Sequence, residues 1–150
     1  MTSNNGAGVT ERQEDWTFES IFIDWTVQGK LSRRKTAFLE ELYKKIAVEI
    51  ANETNLTKGL YCTEKIARPI AYYTPFVVMG PKGYLDHLRM LGFKTFDSVW
   101  DESYDSHKGK TRLEMLYKTL HEIASMDLKK LHDKTHDICL YNREYLHSFQ

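Results

Sequence analysis

Cys62-Thr63-Glu64-Lys65-Ile66-Ala67-Arg68-Pro69-Ile70, followed by Thr74-Pro75-Phe76-Val77-Val78-Met79-Gly80, is the stretch that sets the fold class. Thr63 is a hydroxyl residue placed to cap a helix, and Glu64 suits the positive end of that helix's dipole. Pro69 falls too far in to be a first-turn proline, so it removes one helical hydrogen bond and predicts a short or kinked helix. Phe76-Val77-Val78-Met79 is apolar, partly β-branched and closed by Gly80-Pro81, as a short buried strand should be. A capped helix running into such a strand is half of a strand–helix–strand unit.

Working upstream, residues 52–59 are a polar loop, and Val48 and Ile50 alternate with Glu49 and Ala51, which predicts a strand over residues 46–51. Phe38, Leu42 and Ile46, flanked by Leu39 and Tyr43, recur at helical spacing behind a basic loop at 28–34, with Ser32 as the N-cap. Ile21-Phe22-Ile23 predicts a further strand within residues 18–25. Residues 1–15 are polar, glycine-containing and aperiodic, and read as a disordered tail.

Downstream, Tyr84, Leu85, Leu88 and Leu91 line a short helix that Gly92 ends. Phe93-Lys94-Thr95-Phe96 suggests a fourth short strand, and residues 97–105 an acidic loop. Leu113, Leu116, Leu120 and Ile123 mark one amphipathic helix. Leu128, Leu131, Thr135, Ile138, Asn142, Tyr145 and Phe149 mark another. Alternating strands and helices imply the α/β class: a single Rossmann-like domain over residues 16–150, with a short parallel sheet, helices on its faces and a helical C-terminal third.

Bulk properties narrow the partners. With 21 basic against 21 acidic residues the formal charge is zero, so neither nucleic acid nor an anionic membrane is indicated as a partner. No apolar run reaches membrane-spanning length, and the amino-terminal stretch lacks the basic end and apolar centre of a secretory signal. A cytoplasmic location is therefore expected, with Cys62 and Cys139 as reduced thiols and the sequons at Asn52 and Asn55 as accidental.

In open α/β sheets ligands sit beyond the carboxyl ends of the strands. Three loops fall there: one carrying Lys30, Arg33 and Arg34, a second carrying Glu53 and leading through Thr57 and Lys58 to Thr63-Glu64-Lys65, and a third carrying Gly80, Pro81, Lys82 and Gly83. The helix start at Thr63, with Lys65 and Arg33 or Arg34, would hold phosphate oxygens. Glu64 would repel phosphate and instead accept hydrogen bonds from paired ribose hydroxyls. The plainer alternative makes Thr63 a cap, Glu64 a dipole partner and Lys65 a solvated cation, since any capped helix carries such residues.

Thr63-Glu64-Lys65, the proline, and Pro75-Phe76-Val77-Val78-Met79-Gly80 resemble the donor-binding, C-terminal Rossmann-like domain of fucosyltransferase-type enzymes with the two-domain GT-B glycosyltransferase fold. The resemblance is closer still to glycosyltransferase-like proteins of tailed bacteriophages. Those share versions of Leu88-Arg89-Met90-Leu91-Gly92-Phe93-Lys94-Thr95-Phe96 and Asp101-Glu102-Ser103-Tyr104-Asp105. It implies that Glu64 and Lys65 grip the ribose and diphosphate of a nucleotide sugar, a donor substrate rather than a resident cofactor. Arg33, Arg34, Thr63 and Gly80 complete the expected site. No residue matches an acceptor-side general base, and the length allows for one such domain where a complete enzyme uses two. A nucleotide or nucleotide-sugar binder, glycosyl-transferring if active, is thus expected. The alternative is a non-catalytic viral interaction or structural protein with the same fold, whose partner would be a host or viral protein; the aromatic stripe Tyr141, Tyr145 and Phe149 would suit it.

Other motifs carry less. Asp97, Asp101, Glu102 and Asp105 contain enough carboxylates for a hard cation, but a solvated loop is the simpler reading. His132 and His136, four apart, lack a third ligand. Lys108-Gly109-Lys110-Thr111 resembles the end of a phosphate-binding loop, yet Tyr104 stands where that motif needs its first glycine.

Overall fold

The computed structural model describes residues 33–53 and 62–149, with side chains from residue 37 onward. The expected tail, the strand at 18–25 and the Ser32 cap lie outside the described residues. Along the chain run α1 (Arg33–Tyr43), β1 (Glu49–Asn52), α2 (Glu64–Ala71), β2 (Phe76–Met79), α3 (Tyr84–Met90), a 3-10 turn (Ser103–Ser106), α4 (Gly109–Ala124) and α5 (Leu128–His147). The protein is mixed α/β. Among the described residues, β1 and β2 form a parallel two-stranded sheet with Ile50 opposite Val77 and Ala51 opposite Val78, and α2 is the crossover.

Local chemistry explains most of this. Thr63 caps α2, its Oγ1 accepting from the Lys65 N–H at 3.2 Å. Ile66, Ala67, Pro69 and Ile70 are buried along one side of the helix, which ends at Ala71, two residues beyond Pro69. Phe76, Val77 and Val78 are buried. The ladder is shorter at its start than the 46–51 expectation. Glu49 N–H donates to the Pro75 carbonyl at 2.9 Å, and Pro75 has no N–H of its own with which to extend the pairing.

Three expectations are corrected. Residues 93–96 are not a strand. Asn142 of α5 takes the place of a neighbouring strand, its Oδ1 accepting from Lys94 N–H and its Nδ2 donating to Lys94 C=O, both at 2.8 Å. The acidic loop is not simply solvated: Asp97 and Asp101 are exposed, but Glu102 and Asp105 are buried. Phe38 and Leu42 of α1 are exposed rather than buried, as are Leu113 of α4 and Leu128 of α5.

The core sits on β2. Phe76 meets Phe96 edge-on at 5.1 Å, and Phe96 stacks on Trp100 at 4.9 Å. The Tyr104 hydroxyl accepts the Val78 N–H at 3.4 Å. Leu116 and Ile123 of α4 and Leu131, Cys139 and Leu146 of α5 belong to the same buried cluster. Arg143 of α5 closes α2 by donating to the Ala71 carbonyl at 2.7 Å, a cation at the negative end of the helix dipole.

Candidate functional site

Beyond the carboxyl ends of β1 and β2 lie Glu53 and Gly80, and there the starts of α2 and α3 converge. Glu53 continues the inward side of β1 two residues after Ala51, and both are buried. Its carboxylate accepts from three groups: Thr63 Oγ1 at 2.8 Å, Thr63 N–H at 3.4 Å and the Tyr84 hydroxyl at 2.9 Å. A buried carboxylate is tolerated only when such donors surround it. Burial pushes the Tyr84 hydroxyl well above the usual phenol range, and the nearby Cys62 thiol and Glu53 carboxylate add to that. Tyr84 therefore stays protonated and available as a donor. Gly80 makes room for the arrangement, since a Cβ there would stand 3.1 Å from Val78 Cγ1 and 3.3 Å from the Tyr84 ring.

On this base stands the first turn of α2. Glu64 and Lys65 are adjacent and partly exposed, their side chains 45% and 35% accessible, with Lys65 Nζ 3.5 Å from Glu64 Oε1. The Thr63 carbonyl accepts from the Ile66 and Ala67 N–H groups, both at 3.2 Å. Glu53, Thr63, Glu64, Lys65, Gly80 and Tyr84 are thus brought together. Arg33 and Arg34 open α1; their side chains lie outside the described residues. Lys82 is exposed in the turn after Gly80. Glu53 is legible as the hub only if the alternation of β1 is carried one step past the strand, and Tyr84 has no local signal of its role.

The segments at residues 88–96 and 101–105 act as fasteners. Arg89 donates to Thr95 Oγ1 at 3.0 Å and to Glu102 Oε2 at 2.8 Å, while Glu102 Oε1 accepts the Phe96 N–H at 2.8 Å. Burial raises the Glu102 carboxyl above its ordinary value, against the lowering effect of Thr95, Phe96 N–H and Arg89. Asp105 caps α3 from 20 residues away, Oδ2 accepting from the Leu85 N–H at 3.1 Å and from Asp86 N–H at 3.3 Å. Arg112 lies 3.6 Å from Asp105 Oδ1 and donates to the Tyr104 carbonyl at 2.7 Å.

The remaining sequence candidates are placed elsewhere. Among the described residues no cluster of three or more His, Cys, Asp or Glu side chains is arranged to hold a metal ion. His132 and His136 lie on the exposed side of α5 with ring centroids 5.3 Å apart. Lys108-Gly109-Lys110-Thr111 opens α4 behind a 3-10 turn, with no strand before it. The aromatic stripe turns inward: Tyr145 packs edge-on against Phe93 at 5.0 Å, and Tyr141 donates to the Gly92 carbonyl at 3.0 Å. Among the described residues no helix is long and apolar enough to cross a membrane.

No protein family, no curated protein and no solved structure matches the chain.

Proposed function

We propose that the protein is a Rossmann-like nucleotide or nucleotide-sugar binder, similar to the donor half of a bacteriophage glycosyltransferase, with its site at the start of α2. The observation that carries this reading is the position of Glu64 and Lys65. An acid and a cation stand side by side and accessible at a helix amino end, beyond the carboxyl ends of two parallel strands. The buried Glu53–Thr63–Tyr84 hydrogen bonds beneath hold that turn in place.

In this reading Lys65 faces the diphosphate and Glu64 accepts from the ribose hydroxyls. Their mutual ion pair is solvent-exposed and worth at most about 1 kcal/mol, whereas each charge-assisted bond to a ligand contributes roughly 1.5–3 kcal/mol. Exchanging the first for two of the second favours binding. If sugar is transferred, the leaving diphosphate carries the developing negative charge, and Lys65 would stabilise it.

Calorimetric titration of GDP-, UDP- and ADP-sugars against wild type and Glu64→Ala tests the reading. Saturable binding of one nucleotide class, weakened about tenfold or more by the substitution, is expected. Flat thermograms for every nucleotide sugar would overturn it and leave the non-catalytic interaction protein as the reading to pursue, by capture of partners from host extract.

A further inference from the structure

At the opposite, amino-terminal edge of the sheet lies a cleft of about 410 Å³, which falls within the roughly 300–1,000 Å³ typical of small-ligand sites. Three segments build it: the turn after α1 that leads to β1, the turn between α2 and β2, and the first half of α5. Its inner surface is aromatic and apolar. Tyr43 stacks on Tyr72 at 4.6 Å with their rings 15° from parallel, and Leu131 and Cys139 of α5 are buried across from them. A flat apolar body fits against such a surface.

The charge around it is one-sided. Lys44, Lys45, His132 and His136 line the cleft and no Asp or Glu does, in a chain with as many acids as bases. The acids nearby are each engaged: Glu41 pairs with Lys44 at 2.6 Å, Asp133 lies 3.5 Å from His132, and Glu49 accepts the Tyr43 hydroxyl at 2.5 Å. Among the described residues Lys45 and His136 have no carboxylate partner. An exposed lysine and an imidazole without carboxylate partners of their own, beside the stacked Tyr43 and Tyr72 rings, are complementary to an anion attached to an apolar ring.

One wall is also strained. Tyr73 has φ of 54°, a left-handed conformation that bulky residues rarely adopt. It is held there by Arg143, whose guanidinium lies over the ring at 4.3 Å and hydrogen-bonds its hydroxyl. Strain of this kind persists where surrounding contacts over-determine it, and it is concentrated at ligand sites and switches.

We propose that this cleft binds a small aromatic anion, a phosphate or carboxylate on a flat apolar ring, at a site separate from the start of α2. The ring would lie against Tyr43 and Tyr72, and its anionic oxygens would face Lys45 and His136.

Titration of the full chain with phenyl phosphate and with benzoate, followed by amide NMR shifts, tests this. The expected result is saturable shifts centred on Lys45, Tyr73 and His136. Inorganic phosphate and phenol, each supplying half of the ligand, should bind at least about tenfold more weakly. The exposed-site variants Lys45→Glu and His136→Ala should each weaken binding about tenfold with an unchanged fold by the same spectrum, and Lys45→Gln serves if charge reversal disturbs the turn. Absence of saturation with both probes would overturn the proposal, as would equal binding by the variants. Shifts centred on Glu64 and Lys65 would also overturn it, while supporting the nucleotide site at the other edge.

Discussion

The Glu53 carboxylate, one residue beyond β1, accepts the Tyr84 hydroxyl at the head of α3 across 2.9 Å, and both side chains are buried. The same carboxylate takes the Thr63 hydroxyl, so one acid ties the ends of the strands to the starts of both following helices.

Loss of Glu53 strands three donors at once, the buried Tyr84 hydroxyl and the half-buried Thr63 hydroxyl and N–H, whereas loss of the Tyr84 hydroxyl leaves the acid its Thr63 partners. Glu53→Ala should therefore destabilise the protein by about 2–4 kcal/mol, and Tyr84→Phe by about 1 kcal/mol. Urea denaturation of both variants measures this. Equal costs, or a cheaper Glu53→Ala, would contradict the hub role.

Gly92 ends α3 with φ of 97°, and a Cβ there would fall 2.3 Å from the Tyr145 hydroxyl oxygen. That hydroxyl is fixed by donating to the Leu91 carbonyl at 2.8 Å, so it cannot swing away without losing a bond. Gly92→Ala combines a left-handed backbone penalty of about 1–2 kcal/mol with overpacking of about 1–3 kcal/mol. A total of about 2–5 kcal/mol is expected from thermal or urea melts. By contrast Gly109, at φ 59°, would set its Cβ in open space, so Gly109→Ala should cost only the backbone part.

These sites mark what could be read in the sequence. Thr63, Pro69 and the Phe76–Met79 run announce α2 and β2 because their effects are local: a cap, a missing N–H and a β-branched apolar segment. The state of residues 93–96 was not legible, because their backbone partner is the Asn142 amide 48 residues on. The burial of Asp105 was hidden for the same reason, since its reward is the amino end of a helix 20 residues earlier. Side-chain bonds to distant backbone leave no periodic trace. At the candidate site, Glu64 and Lys65 follow from the cap, but Glu53 looked like one more polar loop residue until β1 and α3 enclosed it.

Glu102 offers a test in pH. Burial raises its carboxyl above the ordinary value, and Glu49, half-buried beside Tyr43, is raised in the same sense. The folded protein thus keeps these protons to higher pH than the unfolded chain does. Folding takes up protons in that window, so this contribution is complete below the ordinary carboxylate pKa and declines as pH rises through the raised value. Glu102→Gln stays neutral throughout and loses part of its bonding to Arg89. Its deficit against wild type should be largest near pH 4 and shrink towards pH 7. Urea midpoints across that range measure it, and a deficit that grows with pH would reverse the assigned direction.

The two thiols extend the same reasoning to chemical reactivity. Cys62 and Cys139 are each 5% exposed, and burial pushes both up to about 12. Three units above an ordinary thiol lowers the thiolate fraction at pH 8 by about a thousandfold, before restricted access is counted. Reaction with an aromatic disulfide reagent should therefore pass through opening of the structure. Cys139 lies in the middle of the 20-residue α5, whereas Cys62 immediately precedes the Thr63 cap. Local fraying at a helix start needs less free energy than opening a packed helix centre, so Cys62 should label first and Cys139 only with global unfolding. Mass spectrometry of timed labelling in increasing urea separates the two. Rapid labelling of both thiols without denaturant would show that neither is held in the interior, and with Cys62 the close packing beneath Thr63 and Tyr84 would have to be abandoned.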